Sequence, residues 1–189
     1  DPPTINVADK VEVTIDGVSL EIFPAEGDVP EHLWVWLPED RILFSGDSPP
    51  HRVFPAVETA RFEMSRDPNK MMASVQKTID LDPLTIVPGH SSIIDDRAEI
   101  RELMTLTRDT IQFLIDQVDR FYLTNRSVDD LLNTIELPPA VAAHPQLQPY
   151  YHRWEWMMQQ RFTKRAGFID DWMDSVSYTH LRAHETRSY

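Results

Sequence analysis

The sequence has 189 residues but no cysteine, only five glycines and no long hydrophobic run. Without cysteine neither a disulfide nor a thiolate metal site is possible, so any bound metal would be held by His, Asp and Glu. No apolar stretch approaches the roughly 20 residues that a membrane-spanning helix needs. The sequence therefore predicts no membrane span, and it leaves the cellular compartment open.

Basic residues are also scarce. Lys and Arg number 18 against 31 Asp and Glu, which gives a formal net charge of -13. Nucleic acids and anionic membranes are bound through a basic surface, so neither is the expected partner. Hydrophobic residues make up 41% of the chain and aromatic residues 10%, and this composition is typical of a folded globular protein.

The first half of the chain has the pattern of strands joined by turns. Alternating apolar residues on both sides of Asp16-Gly17 predict a hairpin over residues 11–22. Further strands are predicted at residues 32–37, 42–45 and 84–87, and a helix at residues 68–81.

The second half is helical. Asp96 with Glu99 resembles a capping box and predicts a helix start. Beyond it, apolar residues recur at alternating steps of four and three, a seam that predicts packing against one partner helix. The seam consists of Ile100, Met104, Thr107, Ile111, Leu114, Val118 and Phe121. Ser127 predicts the start of a short helix. A last helix is predicted over residues 148–163, with Tyr151, Trp154, Met158 and Phe162 on one face and Gly167 as its stop.

The last residues follow neither pattern. Residues 176–189 resemble the translation of a sequencing-library adapter, and we interpret them as a non-native tail. A natural disordered tail is the alternative. His180 and His184 lie in this tail and are left out of the search for sites.

Three residues that could bind a metal lie beside predicted strands. Asp28 precedes the strand at 32–37, Asp47 follows the strand at 42–45, and His90 follows the strand at 84–87. Each comes directly after a glycine, which lets the backbone turn sharply. Carboxylate and imidazole groups suit zinc or another divalent ion. The alternative is that the aspartates are turn formers and that Pro88-Gly89-His90 is an ordinary loop.

Several segments carry a family resemblance. Residues 28–47 and 82–90 resemble the metallo-β-lactamase superfamily, in particular its alkyl/aryl sulfatase branch, which includes the dodecyl-sulfate hydrolases. Residues 99–103, 135–145 and 151–156 resemble the helical dimerisation domain that follows the hydrolase domain in that branch. The similarity covers roughly residues 18–171.

The resemblance implies an α+β fold class. Residues 1–96 would be the C-terminal half of a metallo-β-lactamase αββα sandwich, and residues 97–175 an all-α dimerisation domain that forms a homodimer. Half of such a sandwich would leave one sheet face uncovered, so we expect exposed apolar surface.

The resemblance also implies a centre with two zinc ions. By position in the family motifs, Asp28, Asp47 and His90 would be metal ligands, and Arg61 would bind the sulfate group of the substrate. No further catalytic residue is assigned. Glu58 lies close to Arg61 in the sequence, and its negative charge would repel a sulfate group unless Arg52 or Arg61 neutralises it.

The expected function is therefore that of a fragment of a zinc-dependent hydrolase of alkyl sulfate esters. The His-x-His-x-Asp-His motif of the superfamily does not occur in the sequence, so we expect the chain as given to be inactive and the motif to lie upstream of it. One alternative is another hydrolase of this superfamily, acting on a thioester, a lactone or a phosphoester. The other is a non-catalytic dimerisation module.

Overall fold

The computed structural model describes residues 5–25, 27, 29–48, 53–58 and 66–166. Five strands form one sheet in the order β1-β2-β3-β4-β5. They span Val11–Ile15 (β1), Val18–Pro24 (β2), Leu33–Leu37 (β3), Ile42–Gly46 (β4) and Thr85–Pro88 (β5). The first four strands are antiparallel neighbours, whereas β5 pairs in parallel with β4. All five lie where the sequence predicts strands.

The β1–β2 hairpin turns at Asp16 and Gly17, whose φ angles of 50° and 85° are both left-handed. Such a turn matches the twist of antiparallel strands and favours an Asp-Gly pair. The residues on either side, Ile15 and Val18, are Cα partners. The predicted hairpin is therefore confirmed, with β2 two residues longer than expected.

Five helices follow or interrupt the strands. They span Pro68–Leu81 (α1), Arg97–Leu123 (α2), Val128–Thr134 (α3), Pro139–Ala142 (α4) and Trp154–Ala166 (α5), with a 3-10 turn at Pro145–Leu147. The Asp96 side chain accepts hydrogen bonds from the backbone N–H groups of Ala98 and Glu99, which fixes the start of α2. Ser127 and Asp130 form a capping box at the start of α3.

The core lies between one face of the sheet and the helices α1 and α2. Trp34, Trp36 and Leu43 point from the sheet into this core, and each is at most 5% exposed. Val75 of α1 and Met104 of α2 are buried against them. This arrangement of a sheet with helices on one face confirms the predicted α+β class.

The opposite face of the sheet carries apolar residues in register. Val35 is the Cα partner of both Ile22 and Phe44, and Phe44 is the partner of Val87. Phe44 is 42% exposed. Among the described residues, the buried cluster that contains Trp34, Trp36 and Leu43 together with residues of α1 and α2 includes none of these four.

The apolar seam of α2 is buried as predicted, but its packing differs from the prediction. All seven seam residues are buried, yet α2 packs against both α1 and α5 rather than against one partner helix. A helix that lies between two others needs a broader apolar surface, and Leu103 and Ile115 widen the seam accordingly. The seam is thus filled from within the chain.

The last helix begins later than predicted. It starts at Trp154 instead of residue 148, because Gln148 has an extended backbone (φ -69°, ψ 150°) before Pro149. A residue that precedes proline is disfavoured in the helical region. Tyr151 consequently lies outside the helix and is 58% exposed, while Met157 and Met158 provide the buried face. Gly167 and the tail at 176–189 lie outside the described residues.

A second apolar cluster joins the loop at residues 53–58 to the helices. Phe54 and Val57 are fully buried there, and the ring of Phe54 stacks on that of His152 at a centroid distance of 6.4 Å. His152 itself is only 2% exposed, and its Nε2 has no hydrogen-bond partner within the described ranges. No described helix is long and apolar enough to span a membrane.

His152 should make the stability of this cluster depend on pH. Burial lowers the pKa of His152, and the nearby Arg66 lowers it further, whereas a hydrogen bond to the backbone of Val57 acts the other way. The unfolded chain therefore takes up the proton first as the pH falls below about 6.5. The stability contributed by neutral His152 is complete above that pH and is lost as the pH falls towards the lowered pKa, by about 1.4 kcal/mol for each unit of difference.

Urea unfolding at pH 7.5 and 5.5 measures this loss. The variant His152→Gln should lose much of the difference between the two pH values, and His144→Gln should keep it, because His144 caps the 3-10 turn at the surface of the helical half. A His152→Gln protein with the pH dependence of the unaltered chain would contradict the assignment.

Candidate metal site

The candidate site lies where β4 and β5 end. The two strands are parallel, so their carboxyl ends meet at the same edge of the sheet. The backbone N–H of Gly89 donates a hydrogen bond of 2.7 Å to the carbonyl oxygen of Gly46. This bond holds the segment after β5 against the segment after β4, and it brings together residues that are 43 positions apart in sequence.

Asp47 and His90 contact each other at this edge. The Nδ1 atom of His90 lies against the Oδ1 atom of Asp47. The His90 side chain is 81% exposed and that of Asp47 is 37% exposed. Both groups are therefore accessible to a ligand from solvent.

Gly89 makes this contact possible. A Cβ atom at position 89 would lie 2.6 Å from the Asp47 Oδ1 atom and 3.0 Å from the carbonyl carbon of Gly46. A side chain at position 89 would therefore require the Asp47 carboxylate to move and the backbone of Gly46 to shift slightly, so glycine keeps Asp47 in its place beside His90. The glycine of Pro88-Gly89-His90 thus has a steric role beyond permitting a turn.

The loop between β2 and β3 reaches the same edge. Gly27 is buried against Ser48, since a Cβ atom at position 27 would lie 2.7 Å from the Ser48 Cα atom. Ser48 directly follows Asp47. Asp28, the third predicted ligand, lies outside the described residues, as does Arg61, the predicted sulfate-binding residue. Their roles stay predictions.

His32 is a residue of this edge that the sequence analysis missed. Its Nε2 atom lies 2.9 Å from the carbonyl oxygen of Ser45 and therefore donates to it. The sequence does indicate which way this side chain faces. His32, Trp34 and Trp36 are alternate residues, and alternate residues of a strand share one face of the sheet. What the sequence could not supply is the proximity of β4.

The donors at this edge fit part of a zinc site. Carboxylate oxygen and imidazole nitrogen are both common zinc ligands, and zinc usually takes four. Among the described residues there is no group of three or more His, Asp or Glu side chains placed to hold a metal. Asp47 and His90 thus fit as two members of a larger ligand set.

Glu58 does not need the neutralising partners that the sequence suggested. Arg52 and Arg61 both lie outside the described residues. Among the described residues, the Glu58 carboxylate is paired with Arg161 and Lys164 of α5, at 3.5 Å each. Its charge is therefore balanced from the helical half of the chain.

Comparison with known proteins finds one family model and several relatives. Residues 1–90 match the family model of the metallo-beta-lactamase superfamily. A linear primary-alkylsulfatase from Pseudomonas sp. (strain ATCC 19151) is 29% identical over 168 residues, which are 88% of this chain and 32% of that protein. A beta-lactamase-like protein 2 homolog from Caenorhabditis elegans is 35% identical over 113 residues, 57% of this chain and 36% of that protein.

Among solved structures, the stereoselective inverting sec-alkylsulfatase Pisa1 from Pseudomonas sp. superposes with a TM-score of 0.75 at 18% identity. The superposition covers 88% of this chain and 27% of that one, and at this identity it shows the shared fold. The chain spans about a third of the length of the curated relatives it matches. The family match over residues 1–90 and the similarity to a linear primary-alkylsulfatase support the predicted resemblance to the alkyl sulfatase branch of the metallo-beta-lactamase superfamily.

Proposed function

We propose that this chain is part of a zinc-dependent hydrolase that cleaves alkyl sulfate esters. The observation that carries the proposal is the contact between Asp47 and His90 at the ends of two parallel strands, in a chain that is similar to a linear primary-alkylsulfatase. The sequence and the structure point to the same pair of residues. In the sequence, each of the two follows a glycine at the end of a strand, and in the structure their side chains are in contact.

In this proposal Asp28, Asp47 and His90 hold zinc, two ions being bound in the complete enzyme. Bound zinc supplies positive charge, which lowers the pKa of water and stabilises negative charge that develops in the reaction. The side chains of Asp47 and His90 are 37% and 81% exposed, so ligands from another segment could approach them from solvent. Three ligands are too few for two ions, so we expect the 189-residue chain alone to be inactive.

Arg61 would bind the sulfate group of the substrate. A guanidinium presents several N–H donors in a plane, which suits a tetrahedral oxyanion. The ion pairs of Glu58 with Arg161 and Lys164 support this role, because they balance a negative charge in this segment that would otherwise repel a sulfate. The helical half would in addition provide the interface of a homodimer.

The proposal is tested in a protein that restores an upstream half carrying the His-x-His-x-Asp-His motif. We expect that protein, loaded with zinc, to release sulfate from dodecyl sulfate, and Arg61→Met to weaken binding of the sulfate ester. A panel with a thioester, a lactone and a phosphoester serves as the comparison. Cleavage of one of these in place of dodecyl sulfate would reject the substrate class, and a folded protein without zinc would reject the metal site.

A further inference from the structure

His32 connects two of the three segments that meet at the candidate site. Its backbone belongs to the loop that enters β3, since its carbonyl accepts a hydrogen bond of 2.9 Å from the N–H of Ala25 and its own N–H donates to the carbonyl of Val29. Its side chain reaches across to β4 and donates to the carbonyl of Ser45. One residue thus fastens the β2–β3 loop to the end of β4.

At the end of β4 the regular hydrogen-bond pattern between the strands is interrupted. The pairing with β5 shifts register between Phe44 and Gly46, and Gly46 has a left-handed φ of 54°. The carbonyl of Ser45 accepts from the Ser48 N–H at 3.1 Å as well as from His32. Ser45 is fully buried, and among the described residues its hydroxyl has no hydrogen-bond partner, so the contacts seen at this turn are made by its carbonyl.

His32 also packs directly against this turn. A Cβ atom on Gly46 would lie 2.7 Å from the Nε2 atom of His32. The imidazole therefore fills the space beside Gly46 and donates a hydrogen bond to the carbonyl of Ser45, the residue before Gly46. Asp47 directly follows Gly46, and its carboxylate contacts His90.

We propose that His32 is a positioning residue, which holds the turn over residues 45–47 through its bond to Ser45 and so presents the carboxylate of Asp47 beside His90. The inference deepens the proposed function, since it rests on Asp47 and His90 being metal ligands. A residue that orients a metal ligand contributes to metal affinity without contacting the metal. Removing such a residue typically lowers the metal affinity about 10- to 100-fold.

A matched pair of variants tests this role in the 189-residue chain. His32→Gln keeps an amide N–H at the same distance from the backbone as Nε2, whereas His32→Met has the same length and no donor. Two measurements are made on each variant: the affinity for cobalt(II), followed by its visible absorption, and the hydrogen-exchange rate of the Gly89 amide. His144→Met in the helical half is the control, and urea unfolding shows whether any variant loses global stability.

We expect His32→Met to lower the cobalt(II) affinity by about 10- to 100-fold and to speed Gly89 exchange by about tenfold, the equivalent of one hydrogen bond. His32→Gln should restore most of both, and His144→Met should change neither. If His32→Met and His32→Gln behave alike, or if Gly89 exchange is unchanged in His32→Met, the positioning role is wrong even where cobalt(II) binds. A last outcome separates the two proposals. If the unaltered chain takes up no cobalt(II), and Gly89 exchange is faster in His32→Met than in His32→Gln and His144→Met, the positioning role stands and the proposed metal site fails.

Discussion

Replacing Arg161 with methionine should destabilise the protein by up to about 3 kcal/mol, because the buried carboxylate of Glu58 loses the more buried of its two cationic partners. The Glu58 side chain is only 7% exposed and that of Arg161 only 13%. In the variant, the carboxylate of Glu58 keeps Lys164, which is 39% exposed and closer to water. Urea unfolding at neutral pH measures the difference in the free energy of unfolding.

Two further variants distinguish a buried ion pair from simple packing. The double variant with Glu58→Met and Arg161→Met should lose less stability than the sum of the two single variants, since each single variant already includes the loss of the interaction between Glu58 and Arg161. Arg153→Met is the surface control: Arg153 and Glu155 pair at 3.2 Å with side chains 54% and 41% exposed, and such pairs contribute less than about 1 kcal/mol. Equal losses in Arg161→Met and Arg153→Met would contradict the prediction.

This ion pair marks a limit of what the sequence could predict. Glu58 and Arg161 are 103 positions apart, and no local pattern joins them. The charge of Glu58 was visible in the sequence, and so was the need to balance it. Which residues balance it depends on how α5 packs against the loop, and that is a tertiary property.

The regular elements were easier to predict because their signals are local. Alternation with Asp16-Gly17 gave the hairpin, and the helix at Pro68–Leu81 has the predicted bounds. The predicted start of α5 at residue 148 is wrong: the apolar spacing of Tyr151 suits a helix, but Gln148 precedes Pro149 and takes an extended backbone. The seam of α2 was predicted residue by residue, but not the number of helices that would cover it.

The candidate site falls between these cases. Strand ends that follow one another in a parallel pair share an edge, so the proximity of Asp47 and His90 could be expected from the pattern. The need for glycine at position 89 and the reach of His32 could not, because the first depends on the distance between the segments after β4 and β5, and the second on the distance from the start of β3 to the end of β4. The roles of Asp28 and Arg61 remain predictions.

Replacing Asp47 with asparagine should lower the zinc affinity of the chain by more than about 100-fold. Such a loss exceeds the roughly 10- to 100-fold that is typical when a residue that only orients a metal ligand is removed. Asparagine keeps the size of the side chain and a hydrogen bond to His90, but it removes the negative charge that faces the cation. Competition with a chromophoric chelator measures the affinity. Asp96→Asn is the matched control, because asparagine caps α2 as well as aspartate does.

Thermodynamic linkage gives an independent measure of the same loss. A ligand present at 100 times its Kd adds about 2.7 kcal/mol to the free energy of unfolding. Zinc at that concentration should therefore stabilise the unaltered chain and Asp96→Asn by this amount, and Asp47→Asn by almost nothing. If Asp47→Asn kept both the affinity and the stabilisation, zinc would be bound elsewhere, and the contact between Asp47 and His90 would be a structural hydrogen bond at the edge of the sheet.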